Sequence, residues 1–247
     1  MPTQCNSTKH RIWAIVPAAG IGKRMQSTIP KQYLLLNKQA ILSHTVNRLL
    51  SFEAISGLVI SLQPHDTRWD ELNITSNKPV IRAAGGTERS DSVLNALKAL
   101  QEQTNQKQAN FDPENDWVMV HDAVRPCIVE ADINHLVEQV TQDDGGLLAL
   151  PVRDTMKRQH HSSTNVASTV ERDGLWHALT PQYFPWRLLK SALENAASQH
   201  LNITDESSAM ELAGYSPLLV SGREDNIKVT RPADLQLAEL YLSRQTK

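Results

Sequence analysis

The chain has 247 residues, of which 25 are Lys or Arg and 27 are Asp or Glu, so its formal net charge is −2. Hydrophobic residues make up 40% and charged residues 21%, which is typical of a globular protein and argues against disorder. The near-neutral charge disfavours a nucleic-acid scaffold or a polybasic membrane binder. The isolated Cys5 and Cys127 predict neither a disulfide framework nor a thiolate zinc site. Since the N-terminus is polar and no apolar run reaches the length of a membrane span, we expect a soluble, cytoplasmic protein.

Short apolar segments alternate with longer segments of helical periodicity. The first predicted strands cover residues 12–17, 57–62, 80–84, 117–121 and 147–152. The predicted helices cover residues 40–52, 90–103, 131–141, 185–198, 205–213 and 233–243, and a last strand covers 217–221. Nearly continuous hydrophobicity suits strands that are covered on both faces. The pattern therefore predicts an α/β fold with an open, mostly parallel sheet flanked by helices. No shift in composition marks a second domain, so we expect one domain over residues 1–247.

Residues 153–176 interrupt this alternation. The segment is polar, and it begins and ends with residues that are compatible with β-structure. It is long for a connection inside a compact domain. We therefore predict a protruding β-hairpin arm.

The loop PAAGIGKRM follows the first predicted strand, at the sheet edge where ligands of open α/β folds bind. Its small residues allow an anion to approach the backbone closely: Ala18, Ala19, Gly20 and Gly22. Arg24 and Lys31 add two cations nearby. The loop is neither a P-loop nor a dinucleotide fingerprint, because the required glycine spacings are missing. An ordinary glycine-containing turn with solvated charges is the alternative.

The segment VHDAVRP places Asp122 at the end of another predicted strand. A carboxylate at this edge can hold Mg²⁺ together with substrate phosphates, and the planar guanidinium of Arg125 suits a phosphate. The alternative is a turn aspartate paired with a neighbouring arginine.

Two further loops are candidates. In GGTERSDS, Gly85 and Gly86 allow close backbone approach, and the Ser90 or Ser92 hydroxyl could bond a base, ribose or phosphate. Helix capping explains Ser90 equally well. In DNIKVTRP, Lys228 occupies a short β-like run, where an alternating lysine is most often on the solvated face.

Eight segments occur in an order that resembles one enzyme family: PAAGIGKRM, PKQY, GGTERSDS, VHDAVRP, PVRDTMK, RDGLWHALTPQ, TDE and DNIKVTRPADL. They resemble the 2-C-methyl-D-erythritol 4-phosphate cytidylyltransferases of the non-mevalonate isoprenoid pathway, over about residues 12–241. The resemblance implies a Rossmann-like nucleotidyltransferase fold, a homodimer interlocked through the 153–176 arm, and Mg²⁺ dependence. It also implies a reaction in which methylerythritol 4-phosphate attacks the α-phosphorus of CTP and releases pyrophosphate.

The resemblance further implies a role for each candidate residue. Arg24 and Lys31 would stabilise the transition state. The CTP-binding set would be Ala18, Ala19, Gly20, Gly22, Gly86, Ser92, Asp122 and Ala123, with Asp122 also serving Mg²⁺. Methylerythritol phosphate would be held by Arg125, Thr155, Arg172, Thr204 and Lys228. Because Thr155 and Arg172 lie in the arm, they would reach the partner subunit's site. Thr87 stands where many family members have Asp.

Three alternatives stay open from the sequence. A ribitol 5-phosphate cytidylyltransferase has heavily overlapping motifs. A nucleotide-binding module without turnover is the alternative from another functional class, although Lys31, Arg24 and Asp122 are all present. A dehydrogenase is disfavoured by the missing third glycine of the dinucleotide fingerprint.

Overall fold

The computed structural model describes residues 10–20 and 29–245. Its strands, in chain order, are β1 (Ile12–Pro17), β2 (Leu35–Leu36), β3 (Gln39–Ala40), β4 (Ile55–Leu62), β5 (Val80–Ala84), β6 (Trp117–Val120), β7 (Gly146–Pro151), β8 (Met156–Gln159), β9 (Val166–Val170), β10 (Trp176–Pro185) and β11 (Leu218–Ser221). Its α-helices are α1 (Ile41–Ser51), α2 (Arg68–Glu71), α3 (Arg89–Asn105), α4 (Glu130–Gln139), α5 (Trp186–Ser198), α6 (Glu206–Leu212) and α7 (Pro232–Gln245), and a 3₁₀ helix covers Lys31–Tyr33.

The central sheet has seven strands in the order β11-β7-β10-β6-β1-β4-β5. All of its neighbouring pairs are parallel except the two that β10 makes with β6 and β7. The predicted open, mostly parallel sheet is therefore confirmed. The parallel strands end at one edge of the sheet, so the loops that follow them meet there.

Helices cover both faces of the sheet, as the hydrophobic pattern of the strands predicts. Along β1, Ala14 and Val16 pack with the side chains of α1 and α4. Trp13 and Ile15 pack on the opposite face with the side chains of α3 and α5. Gly57 makes room for the indole of Trp13, because a Cβ at that position would lie 2.4 Å from the ring. Fully buried strands of this kind explain why the sequence shows continuous hydrophobicity instead of alternation.

Strand β10 is missing from the sequence prediction, which placed Trp176 in the arm and Pro185 in the first turn of a helix. In the structure Pro185 is the last residue of β10, and α5 begins at Trp186. A proline within a central strand normally argues against that strand. Here the pairing with β7 is irregular between Ala178 and Gln182, and this irregularity accommodates Pro181.

Helix α3 begins one residue before the predicted start. Its N-cap is Glu88, whose side chain forms a reciprocal capping box with Asp91. The capping role considered for Ser90 is therefore wrong, since Ser90 lies inside the first turn.

The arm is a β-hairpin, as expected from its polarity. Strands β8 and β9 pair with each other in a separate two-stranded sheet. Every residue of these two strands is exposed except Met156 and Val170, which are partly buried. Among the described helices, none combines the length and the apolar character that crossing a bilayer requires.

Candidate active site

A cavity of about 630 Å³ lies at the edge of the sheet where the parallel strands end. It is lined by residues 17–20, Lys31, Gln32, Gln63, residues 86–89, Ser92, residues 122–124 and Lys228. The predicted loops after β1, β5 and β6 therefore meet in one place, together with Lys31 and the distant Lys228. Gly22 and Arg24 lie outside the described residues.

The loop after β1 is fixed by hydrogen bonds to its backbone. The Ala18 N–H donates to the Ser61 carbonyl at 2.9 Å. The Gln32 side-chain amide donates to the Ala18 carbonyl at 2.6 Å, and that of Gln63 donates to the Ala19 carbonyl. Sequence reasoning missed both glutamines. Gln32 is 97% buried beside Lys31 in the PKQY motif, and its bond ties that motif to the loop.

The GGTERS loop packs tightly against the loop after β1. A Cβ at Gly85 would lie 2.2 Å from the Cβ of Ala19, so only glycine allows this approach. The Ser92 hydroxyl accepts a hydrogen bond from the Gly86 N–H at 3.0 Å and donates one to the Glu88 carbonyl at 3.1 Å. Ser92 therefore shapes the loop in addition to lining the cavity. Its contact with a nucleotide stays a prediction.

Asp122 is the centre of a buried cluster of charges. Its Oδ1 accepts from Arg89 Nε at 3.2 Å, and its Oδ2 accepts from Arg125 Nε at 3.3 Å and from Lys228 Nζ at 2.9 Å. Burial alone would raise the pKa of Asp122, but Arg89, Lys228 and Arg125 together hold that pKa far below its usual range. The carboxylate is therefore ionised at any physiological pH.

Arg125 and Lys228 have different exposures to the cavity. Arg125 is buried, also donates to the Asn226 carbonyl at 2.7 Å, and is not among the described residues that line the cavity. The side chain of Lys228 is 35% exposed and does line the cavity. The β-like run predicted around Lys228 is wrong, because residues 226–230 have no regular secondary structure. Lys228 is an ion-paired cation at the wall of the cavity and not merely a solvated lysine.

Arg89 and Glu206 extend the cluster, and sequence reasoning missed both. The Arg89 guanidinium donates to Glu206 Oε1 at 2.6 Å and to Oε2 at 3.1 Å. Although burial alone would lower the pKa of Arg89, the two carboxylates raise it above its ordinary value. Burial keeps the pKa of Glu206 raised despite its partner. Three cations thus face two carboxylates among the described residues, which leaves the cluster with an excess of positive charge.

His121 orients the backbone that carries Asp122. Its Nε2 lies 3.1 Å from the Arg125 carbonyl, and its Nδ1 lies 3.1 Å from the Thr180 hydroxyl. Since a carbonyl only accepts, the hydrogen of the neutral ring belongs on Nε2, and the Thr180 hydroxyl donates to Nδ1. That hydroxyl in turn accepts from the Asp122 N–H at 3.1 Å. Burial lowers the pKa of His121 to about 4, so the ring is neutral at neutral pH.

Three predicted substrate-binding residues are exposed and are not among the described residues that line the cavity: Thr155, Arg172 and Thr204. Thr155 and Arg172 lie at the base of the arm, where the Arg172 guanidinium donates to the Arg153 carbonyl. Thr204 precedes α6, and its N–H donates to the Ser208 hydroxyl at 3.1 Å. One chain therefore does not bring the arm residues to its own cavity.

The fit to a divalent cation depends on Asp122. A carboxylate offers about four acceptor positions, and three of those on Asp122 are used by described residues. Among the described residues only Arg89 bonds Oδ1, so the carboxylate keeps one acceptor position that fits an ion held by one carboxylate and by substrate phosphates. No group of three metal-ligating side chains occurs within residues 10–20 and 29–245.

Comparisons of the sequence and of the fold with known proteins all match the same enzyme family. The family model for 2-C-methyl-D-erythritol 4-phosphate cytidylyltransferase matches residues 12–244. A protein of that name from Alteromonas mediterranea is 48% identical over 240 residues, covering 96% of this chain and 95% of its own length. Another from Aliivibrio fischeri is 48% identical over 242 residues and covers 98% of both chains. The crystal structure of the Francisella tularensis protein of that name superposes with a TM-score of 0.78 at 32% identity, over 94% of this chain and 99% of that one.

Proposed function

The chain belongs to the 2-C-methyl-D-erythritol 4-phosphate cytidylyltransferase family, and we propose that it transfers the cytidylyl group of CTP to 2-C-methyl-D-erythritol 4-phosphate. The products are CDP-methylerythritol and pyrophosphate. The observation that carries this proposal is the cavity itself. It combines close-packed backbone at residues 17–20 and 86–89 with the cations Lys31 and Lys228.

The reaction joins two polyanions. An oxygen of the acceptor phosphate forms a bond to the α-phosphorus of CTP, and the bond from that phosphorus to the leaving pyrophosphate oxygen breaks with its electron pair. Negative charge builds on the α-phosphoryl oxygens as this happens. Fixed cations and oriented N–H groups meet this need better than a nucleophilic side chain, because they align the reactants and stabilise charge without forming a covalent bond.

We assign the roles within this cavity as follows. Lys31 stabilises the transition state together with Arg24, which lies outside the described residues. The nucleotide would be bound by residues 18–20, Gly22, Gly86, Ser92, Asp122 and Ala123. The acceptor would be bound by Lys228 and Arg125 from one chain and by Thr155, Arg172 and Thr204. The buried position of Arg125 supports an indirect contribution, through the Asp122 carboxylate, more strongly than direct contact.

We propose that the Asp122 carboxylate would hold a Mg²⁺ ion together with the nucleotide phosphates. When bound, the ion neutralises part of the phosphate charge. The role of this chain is to keep the Asp122 carboxylate ionised and fixed, which the surrounding Arg89, Arg125 and Lys228 do.

We further propose a homodimer in which the arm of each subunit reaches the partner's cavity, giving two equivalent composite sites. The support is that Thr155 and Arg172 are exposed at the base of an arm whose strands pair with each other. The arm also exposes Val166 and Leu175, which are 59% and 37% accessible. In this arrangement residues 1–247 act as one nucleotidyltransferase domain per subunit. We also propose that the protein is located in the cytoplasm, because the buried free thiol of Cys127 suits a reducing compartment.

Subunit complementation tests the shared site. Arg172→Ala and Lys31→Ala variants, each nearly inactive, are mixed under conditions that exchange subunits. Heterodimers should regain activity, because one of their sites carries both native residues. If activity does not return although mass spectrometry shows exchange, each arm serves its own chain.

The substrates are tested by pyrophosphate release from CTP, UTP, ATP and GTP with methylerythritol 4-phosphate or ribitol 5-phosphate as acceptor. We expect efficient release only with CTP and methylerythritol 4-phosphate, because unpaired polar groups in a closed site penalise the wrong base. Faster turnover of ribitol 5-phosphate would establish the alternative acceptor. CTP binding without pyrophosphate release would establish a binding module, and NAD(H) binding a dehydrogenase.

A further inference from the structure

We propose that Arg89 and Glu206 are a pair of positioning residues that holds the segment of Thr204, which is assigned to the acceptor, against the nucleotide side of the cavity. This inference rests on the proposed function. It assigns roles to two residues for which the proposed function gives none. Arg89 is the first residue of α3, and Glu206 is the first residue of α6, 117 positions later in the chain. Their contact is therefore a tertiary link between two loops of the site.

The geometry leaves Arg89 little freedom. Its two terminal nitrogens each bond one oxygen of Glu206, at 2.6 and 3.1 Å, while Nε bonds Asp122 at 3.2 Å. Paired bonds of this kind fix a guanidinium in direction as well as in distance. Because both carboxylates already bind it, Arg89 acts through them and not as a free cation for phosphate.

The two ends of this link belong to segments to which we assign different substrates. On the side of α3, Gly86, Thr87 and Glu88 lead into Arg89 and line the cavity where we place the nucleotide. On the side of α6, Thr204 precedes Glu206 by two residues; it is assigned to the acceptor, and it is exposed outside the lining of the cavity.

The start of α6 is itself rigid, so the pair can set the position of Thr204. The Asp205 side chain caps the helix by accepting from the Ser208 N–H at 3.0 Å, and the Gln182 amide donates to Asp205 at 2.9 Å. The Thr204 N–H is bonded to the same Ser208. A shift at Glu206 therefore moves Thr204 with it.

The charge of Glu206 is essential to the link. Glu206 is 99% buried, and its carboxylate is compensated by Arg89. A glutamine at this position keeps the shape but loses the charge that holds the guanidinium. Arg89 then keeps Asp122 as its charged partner and has a neutral amide oxygen in place of the Glu206 carboxylate, so its hold on the segment of Thr204 is weakened.

Steady-state kinetics of Glu206→Gln test this. The KM for methylerythritol 4-phosphate should rise roughly tenfold or more, because small misplacements in a site have large kinetic effects. The KM for CTP should change by less than about twofold, since the nucleotide loop keeps its own capping box and its bond to Ser92. The matched control is Glu194→Gln, which removes the carboxylate of a half-exposed pair with Lys190 and should leave both constants unchanged.

Arg89→Lys is the second variant, and it keeps the positive charge but loses the fork that bonds two oxygens. Because Arg125 and Lys228 still hold Asp122 and the lysine keeps a positive charge beside it, this variant should show the same selective rise in the acceptor KM. The double variant should be no worse than the more damaged single variant, because one contact cannot be lost twice.

The inference is overturned if a folded Glu206→Gln enzyme keeps its acceptor KM within about twofold of wild type, or if both KM values rise together. If Glu206→Gln does not fold, the same comparison in Arg89→Lys decides. Failure of the proposed function is distinguishable, because the wild-type enzyme would then release no pyrophosphate from CTP with methylerythritol 4-phosphate, or would turn over ribitol 5-phosphate faster.

Discussion

Replacing Asp122 with asparagine removes the carboxylate on which three cations converge while keeping the shape of the side chain. The three partners are affected unequally. Arg89 keeps Glu206, and Lys228 is exposed enough to turn to water. Arg125 is left buried with the Asn226 carbonyl as its remaining described partner. The main energetic consequence is therefore one uncompensated buried guanidinium.

Breaking a buried ion pair by removing one partner costs about 3–5 kcal/mol. In a domain of this size each kcal/mol lowers Tm by about 2–4 °C, so the loss should be roughly 10 °C. Activity should fall further, by roughly 10²–10³ in kcat, because Lys228 loses the 2.9 Å bond that fixes it at the cavity wall.

Thermal unfolding by circular dichroism and pyrophosphate release measure the two effects separately. Asp143→Asn is the matched control, since its pair with Arg187 is exposed and should contribute less than about 1 kcal/mol. If Asp122→Asn unfolds within about 2 °C of wild type, the reasoning that these cations depend on Asp122 is refuted.

The remaining predictions concern three other residues. Lys31→Ala should lower kcat by roughly 10²–10³ with little change in CTP affinity, and turnover within about threefold of wild type would contradict its role. Burial lowers the pKa of His121 from 6.5 to about 4, so its stabilising contribution is present above pH 6.5 and lost as pH falls through 4. Between pH 6.5 and pH 4, His121→Gln should lose less free energy of unfolding than wild type, by on the order of 3 kcal/mol. Stability curves of the two proteins that run parallel against pH would contradict the lowered pKa of His121. Burial raises the pKa of Asp132 from 3.8 to about 6, so its contribution is present below pH 3.8 and lost as pH rises through 6. Asp132→Asn should therefore be more stable than wild type at about pH 7 but not near pH 4, and equal urea midpoints at both would contradict this.

Most of the fold could be predicted because its signals are local. The inner parallel strands β1, β4 and β6 are buried on both faces, so each appears as a short apolar run. The rule that ligands bind where parallel strands end then locates the site. The arm could be predicted for the opposite reason, because it is long and polar. Strand β10 could not be predicted, because Pro181 is typical of a loop and Pro185 of the first turn of a helix. Its place between β6 and β7 also depends on tertiary pairing.

The charge cluster around Asp122 shows which part of the site could not be predicted from the sequence. Asp122 could be identified from its position at a strand end. Its partners Lys228 and Arg89 are 106 and 33 residues away, and Glu206 joins through Arg89 from a third segment. In the sequence Arg89 and Glu206 resemble ordinary polar residues at the start of helices. Only the fold makes them neighbours.

The central claim is that the acceptor phosphate attacks the α-phosphorus of CTP directly in this cavity. Methylerythritol 4-phosphate carrying a heavy oxygen isotope in its non-bridging phosphate positions, incubated with CTP and the enzyme and followed by phosphorus NMR, tests it most directly. We predict that a labelled oxygen becomes the bridge between the two phosphorus atoms of CDP-methylerythritol, and that the released pyrophosphate is unlabelled. Label in the pyrophosphate, or a nucleotide product with an unlabelled bridge, would contradict the account.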